Sequence, residues 1–182
     1  MLNRLGFVDK EKVWDWVKKF DSEMEPDTWN DKPVQGGRKK IWFGVGVNLG
    51  LQNIPYKSRE IDPGLRAVGN KWYGSDDWNS ALLLKYEPGM ELKPHTDRNV
   101  FDSKVVLINV SQDGLFGGTV EFIYGRKIEM LSNGEVISFN NQNLHGIRPV
   151  FSERWSLSFR KVLCSPAITG QGKTNILTER FQ

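Results

Sequence analysis

One stretch of seven residues, RWSLSFR at positions 154–160, decides the fold class. Polar residues alternate in it with tryptophan, leucine and phenylalanine without exception. Because successive side chains of a β-strand point to opposite faces, this alternation predicts a strand with one apolar face in the core. The polar face has two interpretations: a solvated outer surface, or a slot in which Arg154 and Arg160 bind a dianion.

Further short stretches rich in valine, isoleucine and phenylalanine recur from residue 81 onward. They occupy residues 81–86, 104–110, 119–124, 127–131 and 135–139. The residues between them include Asn133-Gly134, a pair that supplies the positive φ angles of a tight hairpin turn. Six or more short strands predict a mainly β protein with flanking helices, whose core is a sandwich or a jelly roll.

The N-terminal part of the chain predicts helices and loops instead. Residues 11–20 carry apolar side chains at three-and-four spacing, which predicts an amphipathic surface helix. A second helix is predicted to start at Pro63 and run toward Lys71. Residues 26–37 are rich in Asp, Asn, Pro and Gly and predict a loop, and residues 40–47 predict a short strand.

The length predicts a single domain over residues 1–164. Residues 1–80 would supply the N-terminal helices and a lid over the substrate, and residues 81–162 the jelly-roll core. The remaining residues, 165–182, predict a polar C-terminal tail.

The composition, 38% hydrophobic and 26% charged, is that of a soluble globular protein and lacks the bias of disordered or membrane chains. The N-terminal stretch lacks the apolar segment of a secretory signal, so we expect a cytoplasmic protein with no membrane partner. Nothing in the sequence implies an obligate protein partner. The single cysteine, Cys164, excludes an internal disulfide and leaves nitrogen and oxygen as metal ligands.

Three adjacent cations, Arg38, Lys39 and Lys40, precede Trp42. We interpret them as the solvated edge of a strand. The alternative is a contact with a phosphate or a nucleobase.

The two histidines of the chain and one aspartate form a candidate metal site. His95 and Asp97 are two residues apart, so in an extended chain both side chains project from one face. His145 follows a predicted strand and could return to them across a folded sheet. Two histidines and a carboxylate are the facial triad that leaves room on non-haem iron(II) for a keto acid and dioxygen. Zinc remains an alternative by ligand type, but no nearby general base presents itself.

The sequence from Tyr86 to Asp97, together with His145-Gly146-Ile147 and the two arginines of residues 154–160, resembles the AlkB-like group of Fe(II)/2-oxoglutarate-dependent dioxygenases. This resemblance covers residues 79–162 and implies a double-stranded β-helix. It implies that His95, Asp97 and His145 bind Fe(II).

The same resemblance implies that Arg154 pairs with the distal carboxylate of 2-oxoglutarate and that Tyr86 donates a hydrogen bond to this cosubstrate. Arg160 would lie near the metal, contacting the cosubstrate or steadying Asp97. The implied reaction consumes O2 and 2-oxoglutarate and removes N-alkyl groups from bases of DNA or RNA.

Two positions depart from the group's pattern. Leu84 stands where asparagine is frequent, and Asn99 stands where bacterial members carry an acidic residue that addresses the base. These departures favour an alternative, a hydroxylase of a protein side chain or small metabolite. Arg154 and Ser156 also resemble the Arg-x-Ser cosubstrate element of small-molecule oxygenases. A non-catalytic cupin-like binding module is the remaining alternative.

Candidate substrate contacts are Arg38, Trp42 and Asn99. Several aromatic residues are available to stack on a flipped base, although most aromatic residues of a small domain belong to its core. These are Trp42, Phe43, Trp72, Tyr73 and Trp78.

Overall fold

The computed structural model describes residues 1–34, 37–111 and 118–163. Its helices are α1 (Lys10–Lys18) and α2 (Pro63–Tyr73), with a short 3-10 helix at Asp21–Glu23. Its strands are β1 (Asn3–Phe7), β2 (Glu25–Pro26), β3 (Thr28–Trp29), β4 (Lys32–Pro33), β5 (Lys39–Asn48), β6 (Ile54–Lys57), β7 (Ser80–Tyr86), β8 (Leu92–His95), β9 (Phe101–Ser111), β10 (Val120–Tyr124), β11 (Lys127–Leu131), β12 (Glu135–Asn140), β13 (His145–Ile147) and β14 (Arg154–Val162).

Two antiparallel sheets form the jelly roll. The large sheet has the order β1-β12-β9-β14-β7-β5-β2, with β6 paired to β5, and the small sheet has the order β11-β10-β13-β8. Side chains from both sheets share one apolar cluster, in which Tyr86 and Leu107 of the large sheet join Phe122 and Ile147 of the small one. The predicted mainly β fold with a jelly-roll core and flanking helices is therefore confirmed.

Strand β14 lies in the middle of the large sheet, between β9 and β7. Its apolar side chains Trp155, Leu157 and Phe159 are buried in a cluster that also contains side chains of α1 and α2. The opposite face is buried as well, since Arg154 is only 1% exposed. The solvated interpretation of this polar face is therefore wrong: the small sheet covers it, and the face lines a cavity.

Both predicted helices are present, with capped ends. Asp9 accepts a hydrogen bond from Lys12 N and begins α1, and Asp62 accepts one from Leu65 N and begins α2. Helix α2 ends at Gly74, whose φ of 80° suits glycine. Helix α1 ends two residues before the predicted Phe20, and α2 continues two residues past Lys71.

The predicted loop at residues 26–37 is wrong in part, because it contains a hairpin of β3 and β4. Asn30 and Asp31 make its turn with φ angles of 50° and 60°, the left-handed values that short polar side chains tolerate. The sequence did not predict β1, β6, β8 or β13, which have three to five residues and are too short for a clear alternation.

The N-terminal residues also contribute to the core, because β1 and β5 are strands of the large sheet. The predicted domain limits remain predictions, and the predicted tail at residues 165–182 lies outside the described residues. Within the described ranges, no helix is long and apolar enough to cross a membrane.

Candidate active site

Strands β8 and β13 bring the two histidines together. They pair with His145 directly opposite His95, and Asp97 follows two residues after the end of β8. The ligand atoms of these three residues all lie within 4.8 Å of one another. Asp97 Oδ1 is 3.4 Å from His95 Nε2 and 3.6 Å from His145 Nε2. The three residues form a compact donor set, which we call the triad.

The other ring nitrogen of each histidine is held by a backbone carbonyl. His95 Nδ1 is 2.9 Å from Lys93 O, and His145 Nδ1 is 2.9 Å from Asn143 O. A carbonyl only accepts hydrogen bonds, so each Nδ1 carries a proton and Nε2 is the ring nitrogen that faces Asp97. Both rings are thus oriented to bind a metal through Nε2.

Asp97 is fixed through both its side chain and its backbone. Arg160 Nη1 donates to Asp97 Oδ2 at 3.0 Å, which leaves Oδ1 facing the histidines. The Asp97 N–H donates to the carbonyl of Asn141, a fully buried residue. Burial raises the pKa of Asp97, but Arg160 and the two histidines outweigh it and hold the pKa well below its usual range. The carboxylate therefore remains charged and able to bind a cation.

A cavity of about 380 Å³ lies between the two sheets, and the triad is part of its wall. The polar face of β14 contributes Arg154, Ser156, Ser158 and Arg160. The remaining wall between the sheets is mostly apolar and includes Leu82, Leu84, Leu107, Phe122, Phe139 and Ile147. One strand thus offers four polar side chains to a charged molecule in this cavity.

Arg154 is an uncompensated cation in this wall. Its Nε donates to Asn109 Oδ1 at 2.7 Å, while Nη1 and Nη2 are buried without a hydrogen-bond partner. The guanidinium carbon lies 4.8 Å from the centre of the Tyr86 ring. Burial lowers the pKa of Arg154, and no carboxylate of the described ranges forms an ion pair with it. Two unpaired N–H groups on a planar cation fit a carboxylate ligand.

Sequence comparison gives no relatives, because no protein-family model and no curated protein matches the chain. Solved structures do match it. A prolyl-4-hydroxylase from Pseudomonas putida is 16% identical, with a TM-score of 0.59, over 88% of this chain and 92% of that one. A prolyl hydroxylase from Trichoplax adhaerens, in complex with a peptide fragment of the hypoxia inducible factor oxygen degradation domain, is 12% identical, with a TM-score of 0.61, over 88% and 83%.

An oxidoreductase of the 2OG-Fe(II) oxygenase family from Burkholderia pseudomallei is 15% identical, with a TM-score of 0.52, over 81% and 77% of the two chains. This chain has the fold of the 2-oxoglutarate- and iron(II)-dependent oxygenases. The AlkB-like group within this oxygenase fold remains a prediction from the sequence motifs.

Two of the three candidate substrate contacts line the cavity of the oxygenase fold. Trp42 and Arg38 belong to its wall, whereas Asn99 is exposed and lies outside it. Of the five candidate stacking residues, only Trp42 reaches the cavity, because Phe43, Tyr73 and Trp78 are buried in the core and Trp72 packs against it.

The prediction of a solvated strand edge at residues 38–40 is wrong for two of its three cations. Arg38 and Lys40 are 9% and 8% exposed. Both form an ion pair with Asp27, with Arg38 Nη2 at 2.6 Å and Lys40 Nζ at 3.4 Å from its carboxylate oxygens. Arg38 Nη1 also donates to the carbonyl of Glu91.

No sequence pattern indicated Trp29, which the hairpin of β3 and β4 places in the cavity wall. Trp29 is 39% exposed, and the Arg98 guanidinium carbon lies 4.8 Å from its ring centre. Asn109 was also missed, although an asparagine within the apolar stretch of residues 105–110 is a signal for a buried polar contact.

Proposed function

We propose that this protein is an enzyme, a dioxygenase that uses Fe(II), 2-oxoglutarate and O2. The observation that carries the proposal is the pairing of two sites in one cavity: the triad, and the buried guanidinium of Arg154 with two unpartnered nitrogens. The triad alone would also suit a metal-binding protein without a cosubstrate, and a buried arginine alone would also suit a simple anion site. Together they match a reaction that needs both a metal ion and a dicarboxylate.

The triad fits iron(II) by its chemistry. Two imidazole nitrogens and one carboxylate oxygen converge without a thiolate, and three protein ligands leave coordination positions for small molecules. A bound iron(II) would supply activation of O2, coupled to decarboxylation of 2-oxoglutarate to succinate and CO2 and to oxidation of a substrate C–H bond. Zinc remains the alternative ion by ligand type.

Arg154 fits the distal carboxylate of 2-oxoglutarate. Its free Nη1 and Nη2 can donate two parallel hydrogen bonds, and the anion would neutralise a cation that has no carboxylate partner within the described residues. Tyr86 lies beside Arg154, and Ser156 lies two residues further along the same face of β14. At the other end of this face, Arg160 contacts Asp97 of the triad. One strand face thus connects the two parts of the site.

For the substrate we propose oxidative removal of alkyl groups from bases of DNA or RNA. The AlkB-like motifs support it, as do the partly exposed ring of Trp29 and the cation of Arg98 in the cavity wall, which suit a planar group and a phosphate. The second candidate is hydroxylation of a protein side chain. The similar fold of two prolyl hydroxylases, one of them in complex with a peptide, supports this second candidate equally well.

The test incubates the protein with iron(II), ascorbate and 2-oxoglutarate, and with either N-methylated single-stranded oligonucleotides or proline-containing peptides. Succinate and substrate mass are followed in the same tubes. Loss of a methyl group supports the first candidate, and gain of one oxygen by a peptide supports the second. Asp97→Ala should abolish succinate formation, whereas Asp77→Ala, at an exposed ion pair with Lys161, should retain it. The absence of succinate from folded, iron-loaded protein would contradict the proposal.

A further inference from the structure

The hydrogen-bond partner of Arg154 is neutral. Asn109 lies on β9, opposite Ser156 of β14, and Arg154 lies opposite Ser111, so Arg154 and Asn109 are diagonal neighbours on the cavity face of the sheet. Asn109 is fully buried, and its Oδ1 accepts from Arg154 Nε at 2.7 Å. A buried arginine more often pairs with a carboxylate, which would cancel its charge.

A second hydrogen bond fixes the orientation of the Asn109 amide. Its Nδ2 donates to the carbonyl of Ser132 at 2.9 Å. Since a carbonyl cannot donate, the nitrogen of the amide must face Ser132 and the oxygen must face Arg154. The backbone carbonyl of Asn109 also accepts from Gly134 N, which ties β9 to the same turn.

This arrangement restricts the Arg154 guanidinium. With Nε held by Asn109, the planar group cannot turn without breaking a buried hydrogen bond, and the two unpartnered groups Nη1 and Nη2 keep one direction. Because the partner is an amide, the full positive charge remains available. An aspartate of the same shape would also accept from Arg154 Nε, but it would neutralise the guanidinium and could not donate to Ser132.

We propose that Asn109 is a positioning residue that makes the site selective for keto acids with a distal carboxylate. Asn109 orients Arg154 and leaves its charge uncompensated, so a dicarboxylate gains an ion pair that a monocarboxylate cannot form. This inference rests on the proposed function, in which Arg154 binds 2-oxoglutarate. It adds a residue of β9 that determines how strongly the distal carboxylate is recognised.

The test compares two ligands that differ only in the distal carboxylate: 2-oxoglutarate, and 2-oxopentanoate with the same five carbons. Calorimetry measures the dissociation constant of each for the manganese(II)-loaded protein, because manganese(II) accepts nitrogen and oxygen ligands and binding is then read without turnover. The measured quantity is the ratio of the two constants. A general loosening of the fold would weaken the binding of both keto acids and leave the ratio of their dissociation constants unchanged.

The variants are Asn109→Asp and Asn109→Ala. The first keeps the shape and adds a charge, with loss of the hydrogen bond to Ser132, and the second removes the partner of Arg154 Nε. We expect the preference for 2-oxoglutarate to fall roughly hundredfold in N109D and roughly tenfold in N109A, as for loss of a charge-assisted hydrogen bond. If N109A does not fold, the nearly isosteric N109D still tests the inference. Melting temperatures of both variants are measured first.

Asn133 offers the matched control. It belongs to the same turn and also ties it to β9, through hydrogen bonds with both the N–H and the carbonyl of Ser111. Asn133→Ala should lower the melting temperature and leave the ligand preference unchanged. An unchanged preference in N109D, or an equal loss of preference in N133A, would overturn the inference. A wild-type protein that binds neither keto acid would overturn the proposed function itself, and this inference with it.

Discussion

Two buried arginines lie in the wall of the same cavity, on either side of Tyr86, and they differ in how their charge is balanced. The Arg38 guanidinium carbon is 5.8 Å from the Tyr86 ring centre and that of Arg154 is 4.8 Å from it. Arg38 pairs with Asp27 and with a backbone carbonyl. Arg154 has one neutral side-chain partner and two nitrogens without any.

The difference distinguishes a structural cation from a binding cation. Burying a charge costs free energy unless a partner of opposite charge offsets the cost. The chain supplies this partner for Arg38 within its own fold. For Arg154 no described residue supplies it, so we infer that a ligand does. This contrast predicts opposite consequences when the two arginines are replaced.

Replacing Arg154 should give the largest effect, and this effect should appear in binding. Arg154→Met removes both free N–H groups, and we expect the affinity for 2-oxoglutarate to fall by about 3 kcal/mol or more, over a hundredfold. The free energy of unfolding should change by less than about 1 kcal/mol, because an uncompensated buried cation is lost. Ligand titration and urea denaturation measure the two quantities. If R154M is strongly destabilised but still binds 2-oxoglutarate normally, Arg154 has a structural role and not a binding role.

Replacing Arg38 should give the opposite result. Arg38→Met leaves Asp27 buried with only the more distant Lys40, and we expect the free energy of unfolding to fall by about 3 kcal/mol. The triple variant Asp27→Asn/Arg38→Met/Lys40→Met removes all three charges and should recover part of this loss. Urea denaturation of the three proteins measures it. Equal stability of R38M and the wild type would remove the contrast between the arginines.

A third arginine sharpens the comparison, because Arg160 forms its ion pair with Asp97 of the triad. Arg160→Met should weaken metal binding roughly tenfold to a hundredfold, since groups that orient a metal ligand have effects of this size. The preference for 2-oxoglutarate over 2-oxopentanoate should persist. Arg160→Lys keeps the charge and should recover part of the affinity for manganese(II). Metal titration measures this affinity. An unchanged affinity for manganese(II) in R160M would show that Asp97 does not need Arg160 to bind the metal.

The sequence predicted the chemistry of the site better than its surroundings. The spacing of His95, Asp97 and His145 and the alternation of residues 154–160 predicted the triad and a strand with a polar face. Whether that face was solvated depended on a second sheet, which is a tertiary feature that no local pattern contains. The sequence did not predict the counter-ion of Arg38 either. Asp27 belongs to residues 26–37, whose composition predicted only a loop.

The smallest effect is expected for a cluster of two lysines and two carboxylates at the edge of the core. Its charges are balanced and partly exposed to solvent. Lys18 pairs with Asp21 at 2.8 Å and Glu153 at 3.0 Å, and Lys85 pairs with Asp21 at 2.5 Å. Hydrogen bonds from Lys18 and Lys85 lower the pKa of Asp21 below its ordinary 3.8. Burial raises the pKa of Glu153, but contacts with Trp155 and the two lysines outweigh it and lower this pKa below its ordinary 4.5.

Carboxyl groups with lowered pKa values stabilise the folded state above their ordinary pKa, and this contribution is lost as the pH falls through the lower folded-state values. Lys18→Met should therefore reduce stability at neutral pH by less than about 1 kcal/mol and make the loss of stability below pH 4.5 less steep. Urea denaturation at several pH values measures this slope. An unchanged slope in the variant would show that Lys18 does not contribute to the lowered pKa values.

The most direct test of the central claim is a calorimetric titration of 2-oxoglutarate into anaerobic, iron(II)-loaded protein, repeated with His145→Ala and Arg154→Met. We predict saturable binding of one 2-oxoglutarate per chain that is greatly weakened in both variants, because one removes a metal ligand and the other removes the partner of the distal carboxylate. Binding that is unaffected by either substitution, or no binding by folded wild-type protein, would contradict the claim that this cavity is a 2-oxoglutarate and iron(II) site.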